Sequence, residues 1–404
     1  MVSHSGELNS GELKPPGTFE LTSKTKGTLA VLMFVGLITF IVTLVNNPSR
    51  AWHAYLIGMF YVMSLSLGGF FFTAIQHVTK AGWSVNIRRF SEAFINYLPI
   101  GAITAVIFLF GAPTIYDWLN PEVVAKDHLL AHKASYLNQT FFYIRMVAFF
   151  ALWIVLGKTM VGNSVKQDKT GDVNLTHKNV AVSVFALLVF ALTYSFFSVD
   201  TMMALEAHWF STIFGVYAFA GLFQSTVALM ILIILKLMST GQLKGYVTED
   251  HIHDLGKFLF AFTVFWAYIA FSQYMLIWYA NLPEESFFFQ DRSAGPWAWV
   301  SIFLILFKFV VPFFALLPRW AKRTPGHLAM VSILILIMQF VDLFWVAYPH
   351  YDQDHVVVPW IEVLVLLGFL ALFLWATFQF LKKNSIVPLK DPRQHESLHH
   401  HVVY

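Results

Sequence analysis

Apolar residues run in long unbroken stretches at about 27–45, 55–78, 92–111, 137–161 and 178–199, and again at 211–238, 255–281, 297–317, 325–347 and 358–381. Each approaches or exceeds the roughly 20 residues that cross a hydrocarbon core as a helix, and none alternates apolar with polar positions in the ~10-residue segments of a membrane barrel. The pattern predicts an all-α integral membrane protein of about ten transmembrane helices. Its organisation reads as a polar tail at 1–26, a flanking span and outer loop at 27–54, a first four-helix bundle at 55–199 and a second at 200–347. An outer loop with a flanking span at 348–381 and a tail at 382–404 complete it. The first 26 residues, with Pro15, Pro16 and Gly17, contain no apolar run and read as neither a cleavable signal nor a folded domain.

Composition narrows the function. Of 404 residues, 57% are hydrophobic and only 12% charged, half of the roughly 25% usual in soluble domains; the mean hydropathy is +0.64. The partner is the lipid bilayer, and a net charge of +3 with no basic stripe gives no footprint for nucleic acid. Cysteine is absent, so this chain supplies no thiolate to an iron–sulfur cluster and no c-type haem attachment. Arg50, Lys126, Lys133 and Arg292 fall in one set of loops, Arg145 and Lys308 inside spans, and every other Lys and Arg in the tails or the opposite loops. Because basic residues collect on the cytoplasmic side, both termini are expected there.

A repeat shows when spans 2–5 are laid over spans 6–9. Asn120-Pro121-Glu122 corresponds to Asn281-Leu282-Pro283-Glu284, and Arg145 and Lys308 each precede a Phe-Phe-Ala-Leu string, at 149–152 and 313–316. Two units of equal orientation side by side would follow, as in parallel repeats.

Ionisable groups at membrane depth are costly and face the bundle interior, so each marks candidate chemistry. In the second half Lys308, Asp342 and Gln339, with Gln224, Tyr268, Gln273 and Tyr274, are candidates for a proton relay; the alternative is a buried ion pair that only sets helix register. His77 and Glu92, with Gln76 and Asn96, are candidates for a proton entry, against span-end groups that merely reach the interface. Arg145, Asn138, Tyr194 and Asp200 make an outer polar pocket in the first half. No catalytic residue and no metal site is expected. A b-type haem needs axial ligands such as paired His, and of 16 His only His77 is read as lying within a span, at its edge. His399, His400 and His401 lie in a tail read as disordered, without a fourth ligand nearby. Trp266, Tyr268, Trp278 and Tyr279 cluster on span 7, where interfacial anchoring or packing is the plain reading and a flat quinone ring against such walls the functional one.

The stretch His253-Asp254-Leu255-Gly256-Lys257-Phe258, continued by Trp266-Ala267-Tyr268, Ser272-Gln273-Tyr274 and Ile277-Trp278-Tyr279-Ala280-Asn281-Leu282-Pro283-Glu284-Glu285, resembles the polysulfide-reductase membrane-subunit (NrfD-like) family, in its alternative complex III branch. The ten spans, the tail with Lys390-Asp391-Pro392-Arg393 and Glu396-Ser397-Leu398, and Tyr136-Leu137-Asn138 are similar to the second such subunit, the ActF type. The resemblance implies two four-helix bundles with flanking helices in a respiratory menaquinol:cytochrome c (or other acceptor) oxidoreductase. No cofactor would be bound covalently by this chain; menaquinone is the ligand in view. The family's quinol pocket on the outer side of the first bundle makes Arg145, Asn138, Tyr194 and Asp200 the quinone-binding candidates, and a bacterial inner membrane is the location implied. Haems and iron–sulfur clusters would sit in c-type cytochrome and iron–sulfur partner subunits, beside a sister membrane subunit of the same family. A non-catalytic scaffold of that complex is the second reading. A secondary transporter is the third, for which broken helices at matching positions of the two halves are expected; Gly68-Gly69 and Pro312 are the weak points available.

Overall fold

The computed structural model describes Pro16 and residues 19–401, so most of the predicted 1–26 tail lies outside the described residues. Among the described residues ten helices are long and apolar enough to cross a membrane: α1 (Ser23–Asn46), α2 (Pro48–Val78), α3 (Val85–Thr114), α4 (Gln139–Thr170), α5 (Val173–Leu205), α6 (Phe214–Ser239), α7 (Glu249–Ala280), α8 (Gly295–Leu316), α9 (Pro325–Tyr351) and α10 (Trp360–Lys383). Among the described residues there is no strand.

The helices overrun the apolar runs because polar caps lie beyond them. Asn47 accepts from the Arg50 amide ahead of Pro48, so α2 starts seven residues before the predicted 55. Asn138 caps α4, and Gly171, at φ +69°, ends it at Thr170 rather than near 161. Asn281 ends α7 in the left-handed conformation, and Pro283 opens a short helix, Pro283–Ser293; likewise Asn120 caps Pro121–Lys126. In both places the proline opens a short helix, but the asparagines differ: Asn120 is the extended N-cap of its helix, whereas Asn281 is the left-handed C-cap of the helix before.

Helices α2, α3, α4 and α5 close a ring in chain order, and α6, α7, α8 and α9 close a second. Helix α2 is buried on all sides, touching α1, α3, α5, α6, α9 and α10, which explains its lack of a polar face. Gly68 meets Thr226 of α6 and Gly69 meets Phe94 of α3, so this glycine pair serves close packing within an unbroken helix. Interruptions occur elsewhere: α3 breaks at Asn96 and Tyr97, ahead of Pro99, and α8 contains a π-helical turn over Ile305–Val310. These are the second helix of one ring and the third of the other, which is not the matched discontinuity expected of a transporter. Helices α1 and α10 cross where Gly36 meets Gly368, an approach that small residues permit.

A Cβ on Gly36 would lie 2.7 Å from the Gly368 Cα. Gly36→Leu is expected to cost about 1–3 kcal/mol by overpacking and to lower the midpoint of thermal unfolding in detergent; an unchanged midpoint would show that the crossing is not tightly packed.

Candidate functional site

Helices α6 to α9 bring five side chains with polar groups together inside the second ring. The Lys308 ammonium, with no exposed surface, lies 2.5 Å from Asp342 Oδ2 and donates to Gln339 Oε1 at 2.7 Å. Trp266 Nε1 donates to the same carboxylate oxygen at 3.2 Å, Tyr217 donates its hydroxyl to Oδ1, and the ammonium sits 4.7 Å from the Trp266 ring centroid. Local sequence sets this geometry. Pro312 offers no N–H to the Lys308 carbonyl four residues back, and the π-helical turn falls there, re-aiming the lysine. A Cβ at Gly221 would meet Gln339 at 2.6 Å, so the glycine admits the amide. Asp342 is about 14 Å from the end of α9 at Tyr351, by helical rise. That is deeper than the apolar run ending at 347 suggests.

A cavity of about 580 Å³ adjoins the pair, between α7, α8 and Pro283–Ser293. Tyr217 and Trp266, two of the three side chains that donate to Asp342, form part of its wall. Arg292 forms another part. Its guanidinium is buried over the Phe288 ring and donates to the carbonyls of Phe288, Trp345 and Val346. The Trp345 carbonyl is available because Pro349, inside α9, has no N–H to give it. Burial lowers Arg292 to about 10, against the raising pull of Glu206 and Asp291, so it stays cationic at neutral pH. Burial pushes Glu206 up, but His350 and Arg292, at 3.9 and 4.0 Å, outweigh it and hold the carboxyl below its ordinary value.

The other relay candidates divide. Gln224 bonds Thr263, and Gln273 accepts from Ser211 at the edge of the cavity, which Tyr274 also lines. Tyr268 is 63% exposed on the outer face of α7, as are Trp278 and Tyr279, so they stand apart from the pair; Trp266 alone of that aromatic cluster turns inward.

In the first ring Arg145 of α4 makes a two-pronged bridge to Asp200 of α5, at 2.7 and 3.1 Å. Tyr136 donates to Asp200 and stacks on the guanidinium at 3.9 Å from its ring centroid. Cation, acid, tyrosine hydroxyl and aromatic face therefore recur in both rings, the cation on the third helix and the acid on the fourth, whereas the tyrosine comes from just ahead of α4 in one ring and from α6 in the other. Asn138 is occupied as the α4 cap, and Tyr194 bonds Ser64 and the Ala218 carbonyl, so neither joins Arg145 in one pocket.

At the end of the bundle that carries the chain's tail, Glu92 is wholly buried between Arg88, Arg89 and Ser164, while His77 meets Asn179 instead. The tail read as disordered is packed here. Asp391 bridges Arg88 at 2.6 Å, Ser397 bonds the Trp83 carbonyl, His251 and the Asn86 amide, and His400 bonds Asp254. Nor is His77 the only helical histidine. His327 already lies inside the run 325–347, and the longer helices take in His53, His177, His251, His253 and His350, with the His53 and His350 rings 5.9 Å apart near the opposite end. No three His, Cys, Asp or Glu among the described residues could together hold a metal ion.

Sequence reasoning passed over Tyr217, the wall role of Arg292, and a third pair, Arg50 with Glu362, to which Tyr348 also donates. The glutamate in the first turn of α10 was the available signal for that pair; nothing local marks Tyr217. No known family profile matches the chain, and no curated protein matches it either.

Removing one partner of a buried pair strands the other charge. Asp342→Asn is expected to cost about 3–5 kcal/mol, and the double variant Lys308→Met/Asp342→Asn less than the single; urea or thermal unfolding of both in detergent checks the order. At the tail, burial raises Asp391 but Arg88 outweighs it and holds it below 3.8. Because its folded value is depressed, its contribution is complete above 3.8 and lost as pH falls through the lower folded value. Hydrogen exchange of residues 385–401, corrected for intrinsic rates, should therefore be equally slow at pH 7 and 5 and faster at pH 7 in Asp391→Asn.

Proposed function

We propose that this chain is a proton-conducting membrane subunit of a respiratory menaquinol:cytochrome c (or other acceptor) oxidoreductase, placed in the bacterial inner membrane with both termini cytoplasmic. The observation that carries the proton reading is the Lys308–Asp342 pair, buried, held by a tyrosine hydroxyl, and set on a π-helical turn. A carboxylate whose two oxygens face three donors, one of them an ammonium, changes its hydrogen-bonding with each proton taken up or released, and such groups mark proton paths in membrane proteins. Glu92, ringed by Arg88, Arg89 and Ser164, is the corresponding group toward the tail end.

In this reading the chain holds no redox centre. Electrons pass through c-type cytochrome and iron–sulfur partners, and a sister membrane subunit oxidises the quinol. The first-ring candidates favour that division of labour: Arg145 and Asp200 satisfy one another, which leaves them no free prong for a quinone oxygen. The same closure supports the second reading, a scaffold whose pairs only hold helices in register.

Purification from native membranes in mild detergent is expected to bring down c-type haem and an iron–sulfur subunit; a haem-free chain alone would sink the respiratory assignment. Within the assembled complex, Asp342→Asn should lower the number of protons moved per electron while electron transfer persists. An unchanged ratio in a stably assembled variant would leave the scaffold.

A further inference from the structure

The cavity beside Asp342 is graded in polarity along the direction in which its helices run. Helix α7 runs toward the end where Pro283–Ser293 lies, so Gln273 and Tyr274 are nearer that end than Trp266 and Ala267 by about 10 Å. Helix α8 starts from the same end, which places Ser301 above Ile305 and Phe309. Arg292 and Ser293 sit just before α8. The polar groups Gln273, Arg292, Ser293 and Ser301 therefore collect at one end, while the deeper wall is aromatic and aliphatic.

Three further features describe an occupant. The volume, about 580 Å³, is that of a small-molecule site (~300–1,000 Å³). At its rim Phe271 and Ile305 are 61% and 55% exposed on the outward faces of α7 and α8, so the mouth opens sideways between two membrane helices. The cation at the polar end is loosely compensated, with Glu206 4.0 Å away against 2.5 Å for the Lys308–Asp342 pair.

We infer that this cavity binds a bilayer-borne amphiphile: an apolar chain or ring entering between α7 and α8, with a hydrogen-bond-accepting oxygen directed at Arg292. An anionic lipid headgroup and the carbonyl of a lipid-soluble quinone both supply that chemistry. The occupant rests on Tyr217 and Trp266, which donate to opposite oxygens of Asp342, so filling the cavity alters the carboxylate's surroundings without touching it. That consequence rests on the proton-conducting reading; the binding site does not.

The test uses the full chain, with whatever copurifies, reconstituted in nanodiscs. It is photolabelled with a diazirine-bearing phosphatidylglycerol and, separately, a diazirine-bearing naphthoquinone, with the unlabelled compound as competitor. Labelling of residues 266–274 and 301–309 above that of lipid-facing α1, suppressed by competitor, is expected for one of the two probes, and which one identifies the source. Ala270→Phe fills the cavity from α7 and should reduce that labelling about tenfold; Ala270→Leu fills less and should reduce it less, which covers the case in which the larger variant fails to fold. Labelling no stronger than on α1 with both probes, or equal in wild type and variants, would overturn the site. Neither readout involves proton transfer, so the site and the relay can fail independently.

Discussion

A charge within a helical bundle of hydrocarbon thickness cannot be left to water, and the rest of this structure is arranged around meeting that demand. Each deeply placed cation has a defined partner: Lys308 with Asp342, Arg145 with Asp200, Arg89 with Glu92 and Asp168, and Arg50 with Glu362. Arg292, held by three neutral carbonyls and by a carboxylate at 4.0 Å, differs in kind, as does Lys322, which donates to the carbonyls of Leu316, Leu317 and Pro318. Desolvation of two ions is repaid only when geometry is good and remaining donors and acceptors are satisfied. Tyrosine hydroxyls at Asp342, Asp200 and Glu362 complete the count on the acid side.

The pairs also hold the architecture together. Two bridge the third and fourth helices of a ring, Arg50 with Glu362 ties α2 to α10, and Arg88 with Asp391 binds the tail across the bundle's end. Helix α2 lies at the centre, with neighbours from both rings and both flanking helices, so its glycines and small side chains set how closely the rings approach. Within this frame the rings are chemically alike but not equivalent. Arg145, whose planar fork matches a carboxylate on two prongs, closes its site. Lys308, a point charge beside a π-helical turn, leaves its acid with separate donors and a cavity next to them.

Prolines do much of the placing. Pro312 removes the donor that would have continued a regular helix past Lys308, and Pro349 leaves the Trp345 carbonyl to Arg292. In both cases a missing N–H on one residue decides the position of a cation several residues away or on another helix. Such effects are visible in a sequence only once the helix containing the proline is known to be helical throughout.

The chain's hydropathy pattern alone determined that it is an all-α membrane protein of ten spans, because in lipid every backbone polar group must bond within its own helix and length and polarity then suffice. The rarity of charge in those spans singled out Lys308, Asp342, Arg145, Asp200 and Glu92, since a charge at that depth is too costly to be incidental. Helix ends were less legible: caps such as Asn47 and Gly171 lie in polar sequence outside the apolar runs, so His53 and Arg50 were read as loop. Which face each side chain presents was not legible either, and tertiary packing turned Tyr268 outward, Trp266 inward, and Tyr217 onto an acid 125 residues away. The tail is the same case, polar in composition and ordered only because Arg88, His251 and Asp254 wait for it on other helices. Hydropathy is a sum over neighbours in the chain, whereas pairing, cavity and tail are contacts between distant segments, and only the folded bundle decides those.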